Sequence, residues 1–558
     1  MKMTGFFSAQ FLISSPIRFE SVLSLYILRC FGTKSVANCN FREKLKLGLG
    51  HIKGLDDALS LYESMSRMKP LPIVMQFTQL LSGLVNLKEY SAAIRLFKDI
   101  CNLGVSINQY TMTIAINCCS LSGRVDYGFS ILGWFFKRGC VPNAVTFNTL
   151  LKGLFRENKI SEAQELFRKM VKEELCELSV VTYGTVIDGL CKAGNTPMAI
   201  ELLGVMEKGR SCKPNTHIYN TVINGLCKDR MIDDALKLFD EMSEKGITPN
   251  IVTYNALICG LCNLSRWSEV KMLMKGMIDC EIYPDVLTYS TLVDALCKEG
   301  LVVEAEDVID IMKQQNVSPN VISYNSLMDG YCLQGRMDKA SNVFDSMGSM
   351  NIAPDIWSFN ILINGYCKKK KKIEDAMHIF REMPRRGVKP DVTTYTTILK
   401  GLFRGGKCSV ALEVFDEMQV VGLKPNFHTY CNVLDGLCRN GRAEQASMLL
   451  DELERKEGEP LHIEYYTVVM DGFCKAKKLD AARAIFEGLA SRGLKPDVVT
   501  YTILIHGFCQ NGLLEEAQNL FLRMEEANLV GTKEQNPTIF KMIQKLAPNA
   551  LKQKLPSQ

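Results

Sequence analysis

Residues 216–250 read THIYNTVINGLCKDRMIDDALKLFDEMSEKGITPN, and this stretch decides the fold. Tyr219, Val222, Ile223, Leu226 and Cys227 fall at i, i+3, i+4, i+7 and i+8, which is one face of a helix. Ala235, Leu238, Phe239 and Met242 make a second apolar stripe, so a second helix follows. Asp233 and Asp234 suit the positive N-terminal end of that helix, and Gly246 and Pro249 close it. Neither helix can bury its stripe alone. Each pair must lie against another pair.

The phrase around Cys227 recurs, as DGLCKAG at 188, DALCK at 294, DGLCR at 435 and DGFCK at 471. The recurring cysteines are Cys191, Cys227, Cys262, Cys297, Cys332, Cys367, Cys438, Cys474 and Cys509, separated by 36, 35, 35, 35, 35, 71, 36 and 35 residues, with Phe403 standing in the middle of the double step. A fixed period of this size marks a tandem repeat. A zinc site needs ligands that converge on one ion, whereas equal spacing along a stack carries each sulfur away from the last. The one close pair, Cys259 and Cys262, falls three apart on one helix with no second pair nearby. The expected fold class is therefore all-α, an α-solenoid superhelix of tandem 35-residue helix-turn-helix repeats, its hand left open.

Counting each unit from the residue after the Asn or Asp that follows Pro gives thirteen units: 74–108, 109–143, 144–179, 180–215, 216–250, 251–285, 286–320, 321–355, 356–391, 392–426, 427–462, 463–497 and 498–532. Residues 39–73, with LDDALSLYESM, read as a degenerate first unit, and 533–558 as a short capping helix and tail. The first 38 residues set Lys2, Arg18, Arg29 and Lys34 against the single acid Glu20, with serines between, which suits a mitochondrial transit peptide. The stretch GFFSAQFLI (5–13) is short and weakly flanked for a secretory signal, and an ordinary frayed terminus is the plain alternative.

The totals agree with a repeat array. A chain of 558 residues exceeds what one core serves, and 47% apolar residues is ordinary for a folded protein. Twenty-one cysteines without dense short spacing point to a reducing compartment rather than a disulfide scaffold. Net charge of +5 is mild, so any basic signal has to be local. No apolar run reaches about 18 residues, so no membrane span is expected.

The period, the phrase VVTYGTVIDGLCKAG (180–194) and the ending EMSEKGITPN (241–250) resemble the pentatricopeptide repeat (PPR) family in its pure P-type, over nearly the whole chain. LPIVMQFTQLLSGL (71–84) and GRVDYGFSILGWFFKRGCVPN (123–143) are similar to its restorer-of-fertility-like subgroup of plant organelles. The resemblance implies a mitochondrial protein that binds single-stranded RNA, acting in 5′ end maturation, stability or translation of a transcript. Each unit would read one base through its fifth and last side chains, with the second residue packing on the base. A short Asn, Ser or Thr can donate to and accept from a base edge, and a terminal Asn or Asp adds a second polar contact. Asn and Asp before a helix are also good caps.

Carried over to this chain, the resemblance makes Thr78 with Asn108 and Thr113 with Asn143 adenine readers, and Asn148 with Ser179 a cytosine reader. Gly184 with Asn215 is unassigned, Asn220 with Asn250 suits either pyrimidine, and Asn255 with Asp285 suits uracil. Ser290 with Asn320 implies adenine; Asn325 with Asp355 and Asn360 with Asp391 imply uracil; Thr396 with Asn426 implies adenine. Cys431 with His462 is irregular, Thr467 with Asp497 implies guanine, and Thr502 with Thr532 is atypical. The implied target, of about 12 nucleotides, is 5′-AAC-N-Y-UAUUA-N-G-3′.

The local basic signal lies at the thirteenth position, where Arg156, Lys192, Lys228, Lys298, Lys368, Arg404, Arg439 and Lys475 recur. A stripe at the unit period would track a phosphate backbone, although lysine at a helix C-terminus also has a dipole explanation. Lys368–Lys372 reads as a solvated turn beside that stripe, with a nuclear localisation signal as the alternative. His462-Ile463-Glu464 matches half of a zinc deaminase motif, but no P-C-x-x-C follows and Cys474 and Cys509 stand 35 apart. The expectation is a reader without catalytic residues or cofactor, any cleavage falling to a recruited endonuclease. A tetratricopeptide-like protein-binding scaffold, whose period is 34, and an editing factor recruiting a deaminase in trans are the alternatives.

Overall fold

The computed structural model describes residues 54–529 and Ile52, apart from Cys140, 210–211, 370–371, 458–460 and Asn528. The expected leader, the start of the degenerate unit, Thr532 and the expected capping helix over 533–558 lie outside the described residues. All regular structure among the described residues is helical, and no helix there is long and apolar enough to cross a membrane.

First helices start at Val74, Gln109, Ala144, Val180, Thr216, Ile251, Val286, Val321, Ile356, Val392, Phe427, Ile463 and Val498, the first residue of each unit. A second helix follows in each, as in Val321–Leu333 with Met337–Ser349. Leu55–Ser66 is a second helix ahead of the first complete unit. In the decisive stretch, Gly246 takes φ 73° and closes Ile232–Glu244, a left-handed conformation that costs glycine no steric penalty. In the unit 356–391 the extra residue falls in the lysine-rich turn between Ile356–Lys368 and Ile373–Glu382.

The chain divides into two compact bodies, one up to Gly225 and one from Leu226 on. In the first, Val74–Asn86, Gln109–Leu121, Ala144–Arg156 and Val180–Lys192 pack side by side in chain order, each with its second helix behind it. In the second, the first helices from Ile251–Cys262 to Val498–Gln510 form the same kind of row. Second helices join the next unit by edge-to-face aromatic pairs, such as Phe239 with Tyr254 at 5.4 Å, Phe344 with Phe359 at 5.0 Å and Phe486 with Tyr501 at 5.0 Å. Each body is thus a solenoid whose core is renewed at every unit junction.

The recurring cysteines lie at the tightest part of that junction. Cys191, Cys227, Cys297, Cys332, Cys367, Cys438 and Cys474 each sit under the glycine at the tenth position of the next unit's first helix. A methyl group on Gly330 would lie 2.7 Å from Cys297 Sγ, and one on Gly365 2.7 Å from Cys332 Sγ. Where Phe155 or Phe403 replaces the cysteine, the rings press on Gly189 and Gly436, whose added methyls would come within 2.3 and 2.2 Å. Burial pushes the thiols of Cys227, Cys262, Cys297, Cys332, Cys367, Cys438 and Cys474 up to about 12, so they behave as small apolar groups. Cys262 is buried while Cys259 is exposed, and no group of three or more His, Cys, Asp or Glu side chains among the described residues is placed to hold a metal.

Gly436→Ala is expected to destabilise the protein by about 1–3 kcal/mol, although alanine at an unhindered helix site would gain up to about 1. Adding Phe403→Cys recreates the Cys262 and Ala295 pairing that the chain already contains. In a double-mutant cycle of denaturant midpoints the two changes should therefore couple favourably by at least about 0.5 kcal/mol. Additive losses would show that the ring and the glycine do not constrain one another.

Candidate nucleic-acid interface

The last residue of a unit is the N-cap of the next unit's first helix. Asn108 Oδ1 accepts the Thr111 N–H at 2.9 Å, Asp285 Oδ1 that of Thr288 at 2.9 Å, and Asp391 Oδ1 that of Thr394 at 2.8 Å. Asn143, Ser179, Asn250, Asn320, Asp355, Asn426 and Asp497 cap in the same way, whereas the His462 side chain does not cap. The capping alternative thus describes a role these residues do have. It occupies one oxygen only. Oδ2 of Asp355 and of Asp391 has no partner among the described residues. Burial alone would push the Asp285 carboxyl up, but the Thr288 N–H and hydroxyl and the Asn255 amide hold it below its ordinary value, so it is ionised at neutral pH.

The fifth residue reaches across the junction to a side chain that the sequence reading passed over, the third residue of the next unit. Thr78 and Thr111 hydroxyls lie 2.7 Å apart, Thr113 and Thr146 3.0 Å, Ser290 and Ser323 2.8 Å, and Thr396 and Thr429 2.8 Å. In the Asn units, Asn255 Oδ1 accepts from Thr288 Oγ1 at 2.6 Å and Asn325 Oδ1 from Ser358 Oγ at 2.7 Å. The amide turns its other end to the cap, Asn255 Nδ2 donating to Asp285 Oδ1 at 3.4 Å and Asn325 Nδ2 to Asp355 Oδ1 at 3.1 Å. Fifth residue, cap and third hydroxyl close a triangle. The third residues are fully buried, Thr288 and Ser358 among them.

Not every junction closes the triangle. Gly184, which offers no polar group, faces Ile218 where a hydroxyl would otherwise stand, and a methyl on it would meet Ile218 Cδ1 at 3.0 Å. After the irregular Cys431 the third residue is Tyr465. Asn220 is buried on Thr216–Lys228, and Thr467 donates to its own Ile463 carbonyl at 2.9 Å. Asn148 Oδ1 and Asn360 Oδ1 are buried with no hydrogen-bond partner. An unpaired buried acceptor of this kind costs about 1–3 kcal/mol, which a ligand donor would recover.

Beside each triangle the second residue stands in solvent. Tyr110 is 77% exposed and Trp357 66%, and Met75, Val145, Val181, Val252, Leu287, Ile322 and Val499 are exposed as well. Apolar side chains repeated outside the core at the unit interval make a row of flat-contact sites next to a row of hydrogen-bonding groups.

The basic residues at the thirteenth position differ among themselves. Lys192 pairs with Asp188 at 2.7 Å, Lys298 with Asp294 at 2.6 Å, Arg439 with Asp435 at 2.8 Å, and Lys475 with Asp471, each one turn back on its own helix. Arg156, Lys228, Lys368 and Arg404 have no carboxylate at ion-pair distance among the described residues. In the lysine-rich turn, Lys369 donates to the Gly335 carbonyl and Lys372 pairs with Asp338 at 3.2 Å. His462 of the half-deaminase motif packs edge-on against Phe427 at 5.0 Å.

This geometry defines a tandem helix-pair protein that repeats, at most unit steps, a polar contact across the junction and an exposed apolar second residue. Models of the PPR repeat family match residues 214–263, 249–298, 284–333, 319–368, 358–404 and 395–439, and PPR repeat models match 138–171, 174–207, 428–457, 464–494 and 492–525. The chain belongs to the pentatricopeptide repeat family. A putative mitochondrial pentatricopeptide repeat-containing protein of Arabidopsis thaliana is 40% identical over 135 residues, 24% of this chain and 22% of that one. A second mitochondrial one is 40% identical over 120 residues, 22% of this chain and 19% of its own length, so the matches span about a fifth of these curated relatives. Among solved structures, the protein PPR10 from maize is similar with a TM-score of 0.41 and 22% identity, over 89% of this chain and 81% of that one. PPR10 in complex with an 18-nucleotide psaJ RNA element gives 0.47 and 20%, over 89% and 86%.

Thr288→Val keeps the volume of the buried third residue and removes the hydroxyl shared by Asn255 and Asp285. It is expected to lower stability by about 1–3 kcal/mol, the cost of leaving a buried amide oxygen unpaired, with Thr288→Ser close to neutral in the same denaturation measurement.

Proposed function

We propose that this chain is a sequence-specific single-stranded RNA-binding protein of mitochondria that acts in 5′ end maturation, stability or translation of a transcript, reading one base per unit. The observation that carries the reading is the repeated triangle with its unused polar atoms, set beside an exposed apolar residue. A base has one flat face and one polar edge. The second residues, such as Val252, Leu287 and Ile322, offer apolar surfaces between which a base can lie flat. The fifth residue and cap then meet its edge, held by the buried third hydroxyl so that little order is lost on binding.

The family's correspondence between side-chain pairs and bases supports the target 5′-AAC-N-Y-UAUUA-N-G-3′ and the twenty reading residues from Thr78 to Asp497. Relatives named as mitochondrial support the location, and the openings similar to restorer-of-fertility-like proteins support a role in transcript processing. On this reading the chain marks a transcript, and cutting is the work of a recruited endonuclease.

Thr467→Asn is the sharpest test of base reading. Asn at 467, with Asp497 as cap and Thr500 as the buried third residue, would copy the Asn255, Asp285 and Thr288 triangle. Its preference should move from guanine to uracil, by about 1–3 kcal/mol or roughly five-fold to over a hundred-fold in affinity. The measurement is a gel-shift titration of both proteins against two RNAs that differ only at that base. Identical ranking by two folded proteins would remove the fifth residue from base reading. Residues 1–50 fused to a fluorescent protein should enter mitochondria, and cytosolic or chloroplast fluorescence would refute the address.

A further inference from the structure

The ion pairs along the first helices divide the basic row into two kinds of unit, and the ninth residue decides which. With Asp188, Asp294, Asp435 or Asp471 at the ninth position, the cation one turn later is held by that carboxylate. The units 216–250 and 356–391 have Asn224 before Lys228 and Asn364 before Lys368, so neither lysine has a carboxylate at ion-pair distance among the described residues, although the Lys368 charge is felt by Asp329 of the preceding unit. Two units go further. Lys152 precedes Arg156, and Lys400 precedes Arg404, so two exposed cations stand one turn apart on one face with no carboxylate at ion-pair distance among the described residues. Like charges at this spacing disfavour a helix, so the arrangement is costly until an anion arrives.

Resting on the RNA-binding reading, we infer that the phosphate backbone is gripped at three places, by Lys152 with Arg156, by Lys228, and by Lys368 with Lys400 and Arg404, while the paired cations at 192, 298, 439 and 475 are masked. Lys368 and Arg404 belong to neighbouring, directly packed helices, Ile356–Lys368 and Val392–Arg404. Each stands beside the buried cysteine of the preceding unit, Lys368 near Cys332 and Arg404 near Cys367, where their charge opposes the rise of the thiol. They therefore follow one another along a single row. A masked cation releases no counterion when phosphate approaches, because its own carboxylate already serves as counterion; an unpaired one does. The grip is consequently discontinuous, although the base-reading triangles recur along the chain.

The test is the salt dependence of affinity, read by fluorescence anisotropy of the full chain on a labelled 12-nucleotide RNA, 5′-AACAUUAUUAAG-3′. Lys400→Gln/Arg404→Gln and Lys298→Gln/Lys475→Gln remove the same net charge. The first should flatten the log–log slope by about 1.4, two contacts at roughly 0.7 each on a single strand, and the second should leave it nearly unchanged. Asp294→Asn, which frees Lys298, should steepen the slope by about 0.7. Equal flattening by both double variants, or no steepening with Asp294→Asn, would overturn the inference and leave RNA binding standing. A wild-type chain that binds this RNA with no salt dependence, or does not bind it, would overturn the inference together with the reading beneath it.

Discussion

The structure depends on how closely one first helix approaches the next. At the tenth position a glycine gives up its side chain so that the twelfth side chain of the preceding unit can lie against bare backbone: Cys297 under Gly330, Cys332 under Gly365, Phe403 under Gly436. Glycine inside a helix costs up to about 1 kcal/mol relative to alanine. That cost recurs at almost every junction, and close packing offsets it. The same approach brings the fifth residue of one unit to within 2.6–3.0 Å of the third hydroxyl of the next. A junction opened by one methyl group would also part the polar triangle, so the apolar seam and the polar row are one geometric condition met on two faces of the same helices.

The triangle shows how one set of side chains holds a helix end and still has something to offer a ligand. Capping uses a single acceptor, Oδ1, and leaves the second carboxylate oxygen of Asp355 and of Asp391 without a partner among the described residues. The third hydroxyl, buried at the centre, fixes the fifth side chain, which is itself buried at Asn148, Asn220, Ser290, Asn325 and Thr467. Stability and recognition are therefore coupled, and the loss of one hydroxyl, at Thr288 for example, is felt by both. Asn148 and Asn360 mark the other side of this economy, with buried oxygens left unpaired in the free protein.

The fold class was legible because a 35-residue cysteine period with two apolar stripes per unit allows little else, and the helices begin where the stripes do. What the cysteine packs against was not legible, since the glycine beneath it lies in the next unit. The third-position hydroxyl was missed for a related reason. A Thr or Ser there occurs in ten of the thirteen units, but three residues after an Asn or Asp it has an ordinary explanation as the partner in a capping box. Its second bond, to a fifth residue 33 positions earlier, appears only when the helices are stacked. The masking of the basic row could have been read directly. Asp188 and Lys192 are four apart on one helix, a spacing that favours pairing, but reading the thirteenth column by itself hides the ninth.

These junctions change what counts as the unit of information. Gly184 has lost its polar group and its neighbour across the junction is Ile218 rather than a hydroxyl; Cys431 is likewise followed by Tyr465. An isoleucine placed under Asn255 would strand an amide oxygen, at a cost of about 1–3 kcal/mol. The fifth residue is thus constrained by the third residue of the unit that follows it as well as by the cap of its own unit. A letter of the recognition pattern is written across a junction, and moving one unit to a new neighbour moves only part of that letter.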